Sequence, residues 1–237
     1  MKKVLLTTIC PQGTDIQLAL YYLKTYFIKH SPRSGSVNID ILPFSSNEKL
    51  HSIVNQITKC KPDIIGFSCY VWNIMNILKV ARLIKENMPA TKIVLGGPEV
   101  SPSGRRLLNH YRFVDVVVIG EGEETFKEFI EHWLDNTDNI GEVNGIAYRR
   151  ENRVIITDKR PQISNLDDIP SPYSEGSVDI DLKSYRGYIP TETMRGCVYK
   201  CHYCYYHKDL EGTRYFSLQR AKKELKYLLE KRPAGIY

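Results

Sequence analysis

The sequence predicts an α/β protein: a doubly wound parallel sheet of five strands, then a β-hairpin and linker, then one further βα unit. Three observations lead there. Short apolar runs alternate with longer amphipathic ones up to about residue 135. Several of the short runs have no polar face, and strands buried on both faces belong to parallel sheets. Beyond residue 140 the alternation gives way to two short β-like runs and a proline-rich stretch.

The strands fall at Lys3 to Ile9, Val37 to Leu42, Asp63 to Ser68, Lys92 to Leu95 and Asp115 to Ile119. Helices are expected over 14–30, 46–60, 73–88, 101–111 and 124–135. Thr14 with Gln17 and Ser45 with Glu48 have capping-box spacing, and Asn73 stands where it can cap the third helix. Pro62 and Pro89 stop helices just ahead of the next strand. Five such units with right-handed crossovers make residues 1–140 one doubly wound domain.

Gly145 to Arg150 and Val154 to Thr157 flank the polar turn Glu151-Asn152-Arg153, which reads as a hairpin. Pro161, Pro170, Pro172 and Pro190, with Asp167, Asp168, Asp179 and Asp181, break regular structure, so residues 141–184 read as hairpin plus linker. The last segment, 185–237, opens with a strand at Ile189 to Met194 and passes through a cysteine cluster. It then enters a helix capped by Ser217, with Leu218, Ala221, Leu225, Leu228 and Leu229 on one stripe, and a second strand starts near Pro233.

Composition narrows the function classes. Of 237 residues, 42% are apolar and 25% charged. No uncharged apolar run reaches the roughly 18 to 20 residues of a membrane span. Collagen, disordered and transmembrane classes are excluded. The N-terminus is basic then apolar, but Gln12 and Asp15 follow with no small-residue cleavage site, so a cytoplasmic protein without a membrane partner is expected. The net charge of +6 is local: Arg195 to Arg232 holds ten basic against four acidic residues, and elsewhere 23 face 23. Nucleic-acid binders spread basic residues over a face or groove, so no nucleic-acid partner is expected, and Lys222, Lys223 and Lys226 read as a solvated helix face.

Three of the six cysteines, Cys197, Cys201 and Cys204, crowd into eight residues with CxxxCxxC spacing. Chance places two further cysteines at fixed offsets about once in a thousand. Three thiolates this close can share one soft metal centre and leave a fourth position for a ligand, as in a [4Fe–4S] cluster. Structural zinc with His202 or His207 as fourth ligand is the alternative, although no second knuckle exists. Cys60 ends a helix and reads as a buried apolar residue. Cys10 and Cys69 follow strands, so they are either filler or part of a pocket wall. His51, His110 and His132 have no partners in their segments and receive no role.

The stretch from Glu192 to Cys204 resembles the opening of the radical S-adenosylmethionine (SAM) enzymes. The resemblance implies that Cys197, Cys201 and Cys204 hold three irons of a [4Fe–4S] cluster while S-adenosylmethionine chelates the fourth. One electron, from an external donor such as flavodoxin or ferredoxin, then cleaves the sulfonium and releases a 5′-deoxyadenosyl radical. Tyr203 matches the aromatic position near the adenine. Tyr199, Tyr205 and Tyr206 either shield the cluster or pack normally, and Arg195 and Lys200 offset its negative charge. Arg214 to Ser217 and the following helix resemble the first βα unit of that family's partial (β/α)6 barrel.

In α/β sheets ligands bind beyond the carboxyl ends of the strands. Those ends read Ser68-Cys69-Tyr70-Val71-Trp72-Asn73, Gly96-Gly97-Pro98-Glu99 and Gly120-Glu121-Gly122-Glu123. Their glycines permit close approach of a ligand. Beside a radical SAM motif this pattern is similar to the Rossmann-like cobalamin-binding domain. The similarity implies contacts from Ser68, Tyr70, Val71, Gly96, Gly97, Gly120 and Gly122. It also implies that the lower face of cobalamin lies against the Tyr70 to Asn73 loop. Other cobalamin domains carry a DxHxxG histidine after the first strand, whereas Ile9 to Asp15 contains none, so cobalamin without a histidine lower ligand is implied.

The combined expectation is the N-terminal part of a cobalamin-dependent radical SAM enzyme acting on an unactivated carbon of a small-molecule substrate. Methyl transfer is the main version, and rearrangement or cyclisation the alternative within the family. A competing reading is a cobalamin- or nucleotide-binding module whose cysteines hold structural zinc. A six-unit barrel needs on the order of 200 residues. Residues 185–237 therefore predict an incomplete barrel without radical activity of its own.

Overall fold

The computed structural model describes residues 1–11, 16–135, 139–178, 187–199, 201–204, 212–231 and 233–236. In chain order the first part holds β1 (Lys2–Thr7), β2 (Ile9–Cys10), α1 (Leu18–His30), β3 (Val37–Ile41), β4 (Phe44–Ser45) and α2 (Leu50–Cys60). There follow β5 (Ile64–Ser68), α3 (Ile74–Asn87), β6 (Lys92–Gly96), α4 (Gly104–His110), β7 (Val116–Val118), α5 (Glu123–Leu134), β8 (Ile146–Arg150) and β9 (Arg153–Ile156). The main sheet runs β3-β1-β5-β6-β7-β8-β9, parallel as far as β7.

The expected five strands and helices are all present, but the hairpin is not separate from the sheet. Val116, Val117 and Val118 pair antiparallel with Tyr148, Ala147 and Ile146, giving seven strands instead of five. The cause is burial: the three-valine strand β7 would otherwise leave an apolar edge with unpaired backbone. Ala147 faces one core, while Ile146 and Tyr148 face the other.

Alternating strand residues sort into two cores. Leu5, Ile65, Phe67, Ile93, Leu95 and Val117 pack with Ile57, Ile77, Ile84 and Leu108 of α2, α3 and α4. Val4, Leu6, Ile39, Ile64, Val94 and Val118 pack with Leu20, Phe27, Phe126 and Phe129 of α1 and α5. Each of these buried aliphatic or aromatic side chains stabilises the fold by about 1.5–3 kcal/mol.

Two capping assignments change. Glu48 accepts a hydrogen bond from the Ser45 amide at 3.0 Å, but this closes a turn upstream of α2, which begins only at Leu50. Asn73 precedes α3, yet its side chain makes no cap bond and engages the β1 and β5 ends instead. Thr14 lies outside the described residues.

The proline- and aspartate-rich segment is irregular but not loose. Leu166 and Ile169 are buried with Phe216 against Tyr22, and Tyr173 and Ile189 are buried with Leu228 against Ile16 and Tyr21. The Tyr173 hydroxyl donates to the Pro190 carbonyl at 2.6 Å. Helix α1 is therefore covered on two sides, by the sheet and by the C-terminal segment.

That segment holds β10 (Tyr188–Ile189), β11 (Met194–Arg195), β12 (Arg214–Tyr215), α6 (Leu218–Glu230) and β13 (Gly235–Ile236). The single strand expected over Ile189 to Met194 is thus two. β10 pairs parallel with β13 across α6, and β11 pairs antiparallel with β12. Ser217 caps α6 as expected, its Oγ accepting from the Arg220 amide at 3.1 Å. The apolar stripe of α6 is largely exposed: Leu228 is buried beside Glu224, whereas Leu218, Leu225 and Leu229 face outward. Among the described residues no helix is long and apolar enough to cross a membrane.

Candidate functional site

On the α1/α5 side of the sheet, the inward positions end in small residues: Gly66 and Ser68 on β5, and Gly96 on β6. Side chains that would fill this layer are missing, and a cleft of about 340 Å³ remains. Its floor is Leu6, Val94 and Val118, and its roof is Leu18, Tyr22 and Leu23 of α1 with Phe126 of α5. The cleft opens at the carboxyl ends of parallel strands, where doubly wound folds bind ligands.

Six of the seven residues expected to contact cobalamin line this cleft: Ser68, Tyr70, Gly96, Gly97, Gly120 and Gly122. Val71 does not; it is 73% exposed beside the cleft, next to Trp72, whose ring stacks on Tyr70 at 4.6 Å. Asn73 shapes this loop. Its Oδ1 accepts from the Tyr70 amide at 2.7 Å, and its Nδ2 donates to Thr8 Oγ1 and the Ile9 carbonyl at 3.0 Å each. Gly97 has φ +102°, a left-handed conformation that glycine adopts at least cost. Cys69 and Cys10 are buried outside the cleft, their thiols facing the Phe67 and Phe44 carbonyls, so the filler reading holds for both. Burial pushes the Cys69 thiol pKa well up.

One end of the cleft is charged. Arg195 reaches Glu123 at 2.6 Å, Glu192 at 3.1 Å and Glu121 at 3.3 Å, and all four residues line the cleft. Arg214, strand-paired with Arg195, also holds Glu121 at 2.6 Å. Burial alone would lower the Arg195 pKa, but Glu123, Glu192 and Glu121 reverse the effect and hold it above the usual arginine value. At Glu121 burial raises the pKa, and Arg214 and Arg195 outweigh it, leaving the carboxyl below the usual range. At Glu192 burial prevails over Arg195, and the carboxyl stands above that range. The Arg195 guanidinium also lies 5.4 Å from the Tyr22 ring centre, and the Tyr22 hydroxyl is buried without a hydrogen-bond partner among the described residues.

This network corrects the expectation that Arg195 offsets the charge of a thiolate cluster: its guanidinium is engaged by carboxylates. Lys200, the other residue of that expectation, lies outside the described residues, as do Tyr205, Tyr206 and His207. Glu121, Glu123, Glu192 and Tyr22 received no site role from the sequence. The one local signal was the acidic character of Gly120-Glu121-Gly122-Glu123, which also suits the first turn of any helix.

Cys197, Cys201 and Cys204 are half-buried free thiols, and the Cys204 amide donates to the Cys201 carbonyl at 3.0 Å. Gly196 has φ +96°, and a Cβ there would collide with the Gly212 carbonyl. Tyr199 and Tyr203 are exposed at 71% and 93%, and neither reaches the cleft. Among the described residues no three His, Cys, Asp or Glu side chains are gathered closely enough to hold a metal ion.

Residues 6–130 match the family described as the B12 binding domain. The chain belongs to that family. The chain is similar to the cobalamin-dependent radical SAM methyltransferase TokK of Streptomyces tokunonensis, with 34% identity over 173 residues. That match covers 70% of this chain and 25% of the relative. The 2-(S-pantetheinyl)-carbapenam-3-carboxylate methyltransferase of Streptantibioticus cattleyicolor is 32% identical over 71% of this chain and 26% of its own length. The chain thus spans about a quarter of the length of these relatives. The solved structure of the cobalamin-dependent S-adenosylmethionine radical enzyme OxsB, with aqua-cobalamin and S-adenosylmethionine bound, shares the fold at a TM-score of 0.76. It is 22% identical, over 98% of this chain and 32% of that one.

Proposed function

We propose that this chain is the cobalamin-binding part, with the start of the radical SAM part, of an enzyme that methylates an unactivated carbon of a small molecule. The observation that carries the reading is the glycine-lined cleft, whose shape and place suit the nucleotide tail of a corrinoid. Ser68, Gly96, Gly97 and Gly120 would let the tail lie against backbone, and Leu6, Val94, Val118 and Phe126 would exclude water from it. Exposed Val71 and Trp72, with half-buried Tyr70, would offer an apolar shelf to the corrin face. When bound, cobalamin would carry a methyl group taken from one S-adenosylmethionine to the substrate carbon.

Cys197, Cys201 and Cys204 have the donor chemistry for a [4Fe–4S] cluster, and the resemblance to radical SAM enzymes implies that Tyr203 would lie near the adenine. Such a cluster reductively cleaves S-adenosylmethionine, with the electron drawn from an external flavodoxin- or ferredoxin-like donor. The spacing of the three thiols along the chain, rather than their positions in space, supports this half of the reading.

Titration of the purified chain with hydroxocobalamin tests the first half of the reading. Saturable binding with a shift of the corrinoid spectrum is expected, and no spectral change and no retention would overturn it. Anaerobic reconstitution with iron and sulfide tests the second. Absorption near about 400 nm from thiolate charge transfer is expected, and it should vanish when Cys197, Cys201 and Cys204 are changed to Ala. Stoichiometric zinc in a folded sample would replace this half with a structural role.

A further inference from the structure

The charged end of the cleft joins two parts of the chain that the sequence keeps far apart. Glu121 stands between Gly120 and Gly122 on the cleft wall, and Glu123 opens α5. Both are held by Arg195, which precedes Cys197 by two residues. The linkage is short and stiff. Arg195 and Arg214 lie on paired strands and grip the same Glu121 carboxylate. Arg195 is 8% exposed, and Gly196, the residue between Arg195 and Cys197, sits tightly under the Gly212 carbonyl. Arg195 has a further constraint from Glu192 on its own segment.

We propose that Arg195 is a positioning residue that fixes the cysteine-bearing segment to the cleft wall, so that filling the cleft and setting the Cys197 thiol are linked. The proposal rests on the cofactor reading above, because it takes a corrinoid to be what fills the cleft. A ligand pressing on Gly120 and Gly122 acts on Glu121, and Glu121 moves only together with Arg195 and Arg214. Linkage of this kind is reciprocal: what orders one site must favour the other by the same factor. A purely structural ion network would stabilise the fold and leave the thiol indifferent to the ligand.

The test uses the full chain, metal-free, reduced and kept dark, with iodoacetamide as the thiol probe and mass spectrometry to assign each cysteine. Binding of cyanocobalamin is first measured by equilibrium dialysis, and alkylation is followed with and without saturating cyanocobalamin. Cys60, half-buried at the end of α2 rather than buried as expected, serves as internal reference. Cyanocobalamin should slow alkylation of Cys197 by about fivefold or more, the lower end of ordinary coupling between sites, and leave Cys60 unchanged. In Arg195→Lys and Glu121→Gln, assayed at saturation, the protection of Cys197 should largely disappear. Glu121→Gln keeps side-chain size and carries the test if Arg195→Lys fails to fold. Binding without protection in the unmodified chain overturns the proposal alone, as does full protection in a folded variant. Failure of cyanocobalamin to bind overturns the cofactor reading and takes this proposal with it.

Discussion

Gly97 lies so close to Cys69 that a Cβ on Gly97 would stand 2.6 Å from the Cys69 carbonyl oxygen and 3.0 Å from its amide nitrogen. Those are backbone atoms of the sheet's carboxyl edge and cannot swing aside. Because Gly97 also has φ +102°, Gly97→Ala combines backbone strain with a collision. A loss of about 1–3 kcal/mol of stability is expected, together with weaker cobalamin binding. Thermal unfolding checks it, and an unchanged melting temperature would contradict the packing described.

The neighbouring glycine separates binding from stability. A Cβ on Gly96 would meet Val118 Cβ at 3.7 Å, an ordinary contact, and its φ is not in the left-handed region. Gly96→Leu should therefore fill the cleft while the sheet remains intact. Cobalamin affinity should fall at least tenfold, about 1.4 kcal/mol, with little change in melting temperature. Equilibrium dialysis beside calorimetry reads both quantities on one sample.

Arg195→Met removes the cation that Glu123 engages at 2.6 Å and one of the two arginines at Glu121. Leaving such carboxylates buried costs about 3–5 kcal/mol. Arg195→Lys keeps the charge but loses the fork that spans three acids, so an intermediate loss is expected. Urea unfolding monitored by circular dichroism should rank native, Lys and Met in that order of decreasing stability.

Glu121 makes part of this stability pH-dependent. Its folded pKa lies below the unfolded value, so its contribution is complete above the ordinary glutamate pKa of about 4.3 and is lost as pH falls through the depressed folded value. Native protein should exceed Glu121→Gln in melting temperature at pH 7, and the gap should shrink steadily below about pH 4.3. A gap that is constant or widens on acidification would show that the carboxylate is not held by the arginines.

Much of the fold could be read because its signals are local. Runs such as Ile64 to Ser68 and Val116 to Val118 carry burial on their face, and Ser217 announces the helix it caps. The features that escaped depend on partners far along the chain. Ile146 to Tyr148 read as a free hairpin because nothing local says that β7 needs a neighbour. Leu166, Ile169 and Tyr173 are buried without helical or strand periodicity, so their proline-rich surroundings suggested a linker. In the site, glycines were visible as strand-end residues, whereas Arg195 meets Glu123 across 72 residues and could be placed only by the fold.

The double coverage of α1 constrains how anything reaches the cleft beneath it. Leu20 and Phe27 are held by the sheet side, and Tyr21 and Tyr22 by the C-terminal segment. Lifting the helix like a hinged cover would expose both sets of side chains at once. Access that leaves α1 in place would run past the carboxyl ends of β5, β6 and β7, where Tyr70, Gly97 and Gly120 line the cleft. Loading of the cleft would then be a threading process, its rate set by the gap at those strand ends rather than by movement of the helix.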